Sequence, residues 1–336
     1  MKLIIDLLGS DLGPEEILYG IIDSLNNTKL NYVLVGPEQL AREVINKNSA
    51  EITRFEFIDT NEYIKNDEDP ARSVRRKKDS SISLGLERLN EDGDGFLSAG
   101  STGALLAGGV FITKRMEGVL RSTLATFIPN QEGRTTVLVD SGAVVDSKPE
   151  MLNQFATMGS VTAEKFLKYD KPKVYLANVG TEEGKGDTLS KETYKLLSEN
   201  DKINFMGNIE ARDFLTGKAD VIVADGFSGN MMLKASEGAA SVIFGELKSQ
   251  IDSSFIAKIG ALILKPYLMK IKDKYDYSKV GAGIMLGINK PIFKAHGSSN
   301  RRAIKNAIFK AEEFMNSKIN ENLEGRLWLE KKLLNY

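Results

Sequence analysis

The 336-residue chain has no cysteine and a single histidine, His296. The first absence excludes disulfides, thiolate metal sites and a cysteine nucleophile. The second leaves too few imidazoles for a histidine-rich metal centre, so no metal is expected. Charge of one sign is also lacking: 45 Lys and Arg face 46 Asp and Glu, for a net charge of −1. Nucleic acid is therefore not expected as a partner. No apolar run approaches the ~20 residues that span a bilayer. Met1-Lys2 leads directly into a strand-like run with no signal peptide, which makes the cytoplasm the default location. A G-x-S-x-G elbow is missing too. A Ser–His–Asp hydrolase would have to use His296, yet His296-Gly297-Ser298-Ser299-Asn300 before a helix reads as a cap or a phosphate contact.

What the chain does have is alternation. Leu3–Leu8, Tyr32–Gly36 and Phe55–Ile58 read as buried strands, with helices opened by Pro14 and Pro37 between them. Leu124–Ile128, Thr136–Asp140, Val174–Asn178 and Asp220–Asp225 continue the series, and Pro149–Phe166 reads as a long helix. This pattern predicts an α/β fold of three layers, α/β/α, around a mostly parallel sheet. With 42% hydrophobic residues and no low-complexity linker, residues 1–336 are expected to form one domain.

The chain is organised around Gly95–Thr113, GFLSAGSTGALLAGGVFIT. A short strand ending at Ser98 is followed by Ala99-Gly100-Ser101-Thr102-Gly103 and then by an apolar helix. Such a turn aims free backbone N–H groups at an anion; the bland alternative is a tight turn in which Ser101 or Thr102 caps the helix. The spacing is neither a Walker loop nor G-x-G-x-x-G, so ATP and NAD are not implied and no cofactor is expected. The loops at 140–146, 180–187 and 225–230 share this glycine- and hydroxyl-rich character and also follow strands. Lys185 lies between two glycines, where its ammonium could act as a point charge. Asp225 ends a strand and could orient Lys185 or its loop. Asn230 stands at a presumed helix start, either as an N-cap or as a ligand contact.

The runs RRKKDSS (75–81), SAGSTGALLA (98–107), VDSKPE (145–150), QFATMGSVTAEK (154–165), NVGTEEGKGD (178–187), NFMGNIEARD (204–213), GKADVIVADGFSGN (217–230), LKASEG (233–238) and HGSS (296–299) resemble those of the bacterial phosphate acyltransferases of the PlsX type. The resemblance spans nearly the whole chain. It implies a fold similar to the isocitrate and isopropylmalate dehydrogenases and a homodimer. It also implies synthesis of acyl phosphate from acyl-[acyl-carrier-protein] and inorganic phosphate, at the entry to phospholipid synthesis. The sequence departs from the family pattern at Leu7, Leu8 and Ser10, at Ser101 where the family has Asn, and at Val144, also in place of Asn. Two rival functions remain open: a phosphotransacetylase-like enzyme using acyl-coenzyme A, and a non-catalytic membrane-associated scaffold.

Phosphate is already a nucleophile, and a thiolate leaves readily because thiol pKa values lie near 8.5. What such a reaction needs is a site that holds a dianion beside a thioester and stabilises the oxyanion. On loop position and resemblance together, Lys185 is expected to neutralise the phosphate and Asn230 to polarise the thioester carbonyl. Ser98, Gly100, Ser101, Thr102, Gly103, Asp225, Gly229, His296 and Ser298 are expected to line the phosphate and substrate site. The basic run Arg75, Arg76, Lys77 and Lys78 is either a solvated face or a dock for an acidic carrier protein.

A last feature is an amphipathic protrusion at about 240–280. Between Lys248 and Lys279 seven lysines face three aspartates. Lys258, Lys265 and Lys272 form a stripe, with Ile256, Ile263, Tyr267 and Ile271 opposite. Pro266 is expected to split the segment into two helices. The apolar face either rests on an anionic membrane, close to a downstream membrane glycerol-3-phosphate acyltransferase, or packs against a second subunit.

Overall fold

A computed structural model of the protein describes residues 1–275, 281–323 and 325. Its strands are β1 (Lys2–Asp6), β2 (Asn31–Gly36), β3 (Phe55–Asp59), β4 (Gly95–Ser98), β5 (Thr123–Pro129), β6 (Thr135–Val139), β7 (Lys173–Asn178), β8 (Asn204–Glu210), β9 (Val221–Val223), β10 (Gly283–Leu286) and β11 (Ile292–Lys294). The helices are α1 (Pro14–Ser24), α2 (Glu38–Lys47), α3 (Pro70–Arg76), α4 (Ser81–Asp92), α5 (Thr102–Gly108), α6 (Pro149–Lys165), α7 (Thr188–Glu199), α8 (Gly226–Asp252), α9 (Phe255–Lys274) and α10 (Arg301–Asn316).

The helices begin where the sequence supplies caps. Ser80, Ser101, Asp187, Asp225, Ser254 and Asn300 each accept a bond from the backbone amide three residues on. Pro14 and Pro149 occupy first-turn positions, where the missing N–H costs nothing. Strands β1, β2 and β6 are short runs buried on both faces, as a sheet covered by helices on either side requires, while the edge strands β3 and β8 are partly exposed.

Among the described residues, the eleven strands join one sheet in the order β3-β2-β1-β4-β11-β10-β5-β6-β9-β7-β8. Most neighbouring pairs are parallel, but β11–β10, β10–β5 and β5–β6 are antiparallel. The sheet therefore has two halves of opposite polarity. In β1–β4, β11 and β5 the chain runs one way; in β6, β9, β7 and β8, and in β10 between β11 and β5, it runs the other. Local pattern does not report this reversal, and it matters for the site, because the candidate loops fall on both halves.

The segment 240–280 corrects an expectation. Pro266 lies inside α9 and does not split it. The break falls at Ser253–Ser254, where Ser254 caps the new helix, and α9 packs back along α8. Lys274 then donates to the Gln131 carbonyl of the body. The apolar surface is also wider than one face. Phe255, Leu262 and Met269, all exposed, fall within about 60° of the Lys258 stripe at 100° per residue. Lys279 lies outside the described residues. Among the described residues no helix is long and apolar enough to cross a membrane.

Candidate active site

The neighbouring strands β1, β4 and β11 end in Asp6, Ser98 and Lys294, and these three build the first cluster. Asp6 is buried. It accepts from Ser98 Oγ at 2.6 Å and from the Leu8 amide at 2.9 Å. Ser98 Oγ in turn accepts the Gly100 amide at 2.9 Å. A chain of carboxylate, hydroxyl and amide thus fixes the Ala99–Gly103 turn. Burial raises the Asp6 carboxyl to about 6, against the pull of its Ser98 and Leu8 bonds. Lys294 donates to the carbonyl oxygens of Ala99, at 3.2 Å, and of Ala295. Burial lowers its ammonium to about 8. Gly9, at φ +79°, lies so close that a Cβ there would come within 2.8 Å of Gly100 Cα. A cavity of about 390 Å³ opens beside Gly9 and Ser10, between the β1–α1 turn and Tyr63–Asn66.

Several candidates in this cluster have structural partners. Ser98 is buried and engaged. Ser101 spends its hydroxyl as the N-cap of α5, accepting from Ala104 N at 3.4 Å. The space beside Gly103 is filled by Pro70 of α3, 2.6 Å from where a Cβ would stand. Thr102 is half-buried, and Gly100 is buried, with Ser98 Oγ, Asp6 Oδ2 and Ile82 around it. His296 is exposed, and its Nδ1 faces Ser298 Oγ at 2.9 Å and the Ser298 amide at 3.3 Å. That arrangement leaves Nε2 to face outward. Desolvation and the charge of Lys234 hold the His296 pKa below its usual value.

The second cluster lies on the other half of the sheet, at the ends of β6, β9 and β7. Its knot is Asp140, a residue the sequence reading passed over. Its buried carboxylate accepts from the amides of Leu124 (3.0 Å), Gly142 (3.2 Å), Ala143 (2.8 Å) and Val144 (2.6 Å). Gly229 packs so tightly on this knot that a Cβ would lie 1.9 Å from the Asp140 carbonyl oxygen. Asp225 caps α8 by accepting from Ser228 N at 2.9 Å, so the cap is Asp225 and not Asn230. Asn230 sits one turn inside α8 against Gly142, whose Cβ would stand 3.4 Å from Asn230 Cγ. Lys185 is exposed, with Glu182 at 3.9 Å. Its loop is tied down by Asn178 Nδ2 donating to the Lys185 carbonyl (3.1 Å) and by Asn208 Nδ2 donating to the Glu182 carbonyl (2.8 Å).

In sheet order β4 and β7 stand six strands apart, so the Gly100 turn and the Lys185 loop do not share a strand edge. The link between the halves is α8. It starts at Asp140 and carries Lys234 and Glu237 to where their charges act on His296, and that of Lys234 on Lys294. In the basic run, Arg75 stacks on Phe111 (4.4 Å to the ring centre), and Lys77 pairs with Glu68 at 2.8 Å. Arg76 and Lys78 are exposed.

The model of a family described as "Fatty acid synthesis protein" matches residues 1–322. The chain belongs to this family. Among curated relatives, a phosphate acyltransferase of Brevibacillus brevis is 45% identical over 329 residues, covering 97% of both chains. Among solved structures, a phosphotransacetylase from Streptococcus pyogenes superposes with a TM-score of 0.59 at 19% identity, covering 93% of this chain and 94% of that one. A 4-hydroxythreonine-4-phosphate dehydrogenase from Klebsiella pneumoniae does so with a TM-score of 0.51 at 14% identity, covering 94% and 99%. These two likenesses show the α/β fold. The resemblance read from the motif runs and this membership of the fatty acid synthesis protein family agree.

Proposed function

We propose that the protein transfers an acyl group from the thioester of an acyl carrier protein to inorganic phosphate, releasing acyl phosphate and the free carrier thiol. The observation that carries this reading is family membership over nearly the full chain, beside a relative named phosphate acyltransferase. A phosphate oxygen attacks the thioester carbonyl carbon, the carbon–sulfur bond breaks, and the thiolate leaves to take up a proton. Asn230 donates its side-chain amide to the carbonyl oxygen as negative charge gathers there, and Lys185 neutralises the phosphate. Gly100 and Thr102 at the first turn, Gly229 at the second, and His296 with Ser298 complete the substrate walls. Ser98, Ser101, Gly103 and Asp225 act one step back, holding those walls in place.

The exposed Arg76 and Lys78 are the docking charges for the acidic carrier; Arg75 and Lys77 shape the same rim through Phe111 and Glu68. The α8–α9 hairpin pairs two subunits into a homodimer. Its outer apolar residues, Ile256, Ile263 and Tyr267, rest on the cytoplasmic face of the membrane. There the acyl phosphate passes to a membrane glycerol-3-phosphate acyltransferase.

The test is acyl phosphate formation with acyl-carrier protein and, in parallel, with acyl-coenzyme A. Turnover on the carrier is expected, with Lys185→Ala and Asn230→Ala each about 10²- to 10³-fold slower. Turnover on coenzyme A alone would assign the phosphotransacetylase reading. No turnover on either would assign a scaffold.

A further inference from the structure

Lys294 has no task in the acyl transfer proposed for Lys185 and Asn230. It ends β11 in register with Ser98 at the end of β4. Its ammonium is held by two neutral carbonyls, those of Ala99 and Ala295, and Ala99 opens the glycine turn. The charge therefore sits at the foot of that turn. The groups facing it from neighbouring elements are already occupied or remote. Asp6 of β1 bonds Ser98 and the Leu8 amide, and its charge acts on the ammonium ahead of that of Asp11 without bonding it. Asp11 of the β1–α1 turn acts on it only through its field. Lys234 of α8 is paired with Glu237 at 2.9 Å. His296, on its own segment, is turned to Ser298. The half-buried ammonium has lost much of its water, bonds only carbonyl oxygens, and receives from Asp6 and Asp11 a field but no directly bonded counter-charge. An anion arriving at the turn supplies that counter-charge, and little further desolvation is needed.

We propose that Lys294 is a substrate-binding cation, holding a phosphate-type oxyanion at the foot of the Ala99–Gly103 turn. The assignment rests on the phosphate acyl transfer reading and adds a cation from β11 to Lys185, which comes from the opposite half of the sheet. The side chain's own titration gives the site a signature. Burial places the ammonium near 8, so it is charged below that pH and loses its charge as pH rises through it. Asp6, near 6, and His296, pushed down by burial and by Lys234, have finished titrating before that window.

Calorimetry with inorganic phosphate tests this on wild type, Lys294→Gln and Lys294→Arg, with folding checked by circular dichroism. The Michaelis constants for phosphate and carrier are measured alongside. Lys294→Gln is expected to weaken phosphate binding about 10- to 100-fold, the worth of a buried charged hydrogen bond, and to raise the phosphate constant equally while leaving the carrier constant alone. Between about pH 7 and about pH 9 wild-type affinity falls relative to that of Lys294→Arg, because both share the ionisation of phosphate itself while guanidinium does not titrate there. Phosphate binding by Lys294→Gln within about threefold of wild type overturns the inference. Should that variant not fold, Lys294→Arg decides, since an affinity falling with pH as in wild type overturns it equally. Lys294-dependent phosphate binding in a protein that forms no acyl phosphate would keep the site and reject the enzymatic reading. Full turnover with Lys294-independent binding would do the reverse.

Discussion

At the ends of β1, β4 and β6, polar side chains are buried and satisfied: Asp6 by Ser98 and an amide, Asp140 by four amides, Ser101 by its own helix. In the α8–α9 hairpin, apolar side chains stand in water: Ile256 is 82% exposed, Ile263 70% and Tyr267 64%. The strand ends are complete within one chain, and what they leave open is room for a small ligand. The hairpin is incomplete within one chain, because an exposed apolar surface of this extent marks contact with another macromolecule or a membrane. One region is rigid because its geometry is over-determined; the other is free to be covered.

The sharpest way to break the comparison is a single methyl group in each region. At Gly229 a Cβ would stand 1.9 Å from the Asp140 carbonyl oxygen, and because that neighbour is backbone no flexible side chain can move aside. Gly229→Ala is expected to destabilise by about 3 kcal/mol or more, the upper end of overpacking costs. At Gly260, on α9, nothing lies within 4 Å. Gly260→Ala is expected to stabilise the helix by up to about 1 kcal/mol. Thermal unfolding of the two variants measures both, and equal effects of the same sign would erase the distinction.

A smaller effect sharpens the electrostatic half. Burial raises the Asp6 carboxyl from its usual 3.8 to about 6, so between those pH values the folded chain binds more protons than the unfolded one. Stability from this group is full below about pH 4, is lost as pH rises through 6, and is constant above. A shift of about two units corresponds to about 3 kcal/mol, shared with any other carboxyl titrating there. Asp6→Asn keeps an acceptor for Ser98 but cannot ionise, so it is expected to flatten the fall in melting temperature between about pH 4 and about pH 6. An unchanged slope would mean that Asp6 is not the group that titrates.

Much of this was legible in the sequence, and the rest was not for identifiable reasons. Strands such as Asn31–Gly36 and helix starts such as Pro14 and Pro149 declare themselves through apolar runs and first-turn residues. The family was legible in motif runs spread along the chain, and the 45% identical relative agrees. The strands β8, β10 and β11 were missed; the last two are only four and three residues long. The reversal of polarity at β10 and β6 depends on which strands become neighbours, which local pattern does not encode. Asp6 and Asp140 each close a strand with an acid, a visible signal, but their roles arise from amides that other segments bring. Lys294 lies two residues before His296, yet only the register of β11 with β4 places its ammonium under the Gly100 turn.

The smallest effect concerns what covers the hairpin. Ile263 sits midway along α9, 70% exposed, with Ile256 and Tyr267 on the same side. Burying such a side chain is worth about 1.5–3 kcal/mol, and Glu in its place also sets a negative charge against an anionic surface. Lys258 and Lys265 add an attraction that salt screens. Wild type is therefore expected to co-sediment with anionic vesicles at low salt and to release as salt rises, with Ile263→Glu weakened about tenfold or more. Sedimentation velocity on the same samples reports the subunit state. An outer face that meets the membrane loses vesicle binding and keeps the dimer. A substitution that breaks the dimer and leaves vesicle binding intact assigns Ile263 to the subunit interface. Wild type remaining in the supernatant at low salt would remove the membrane from the account and leave the second subunit as the cover.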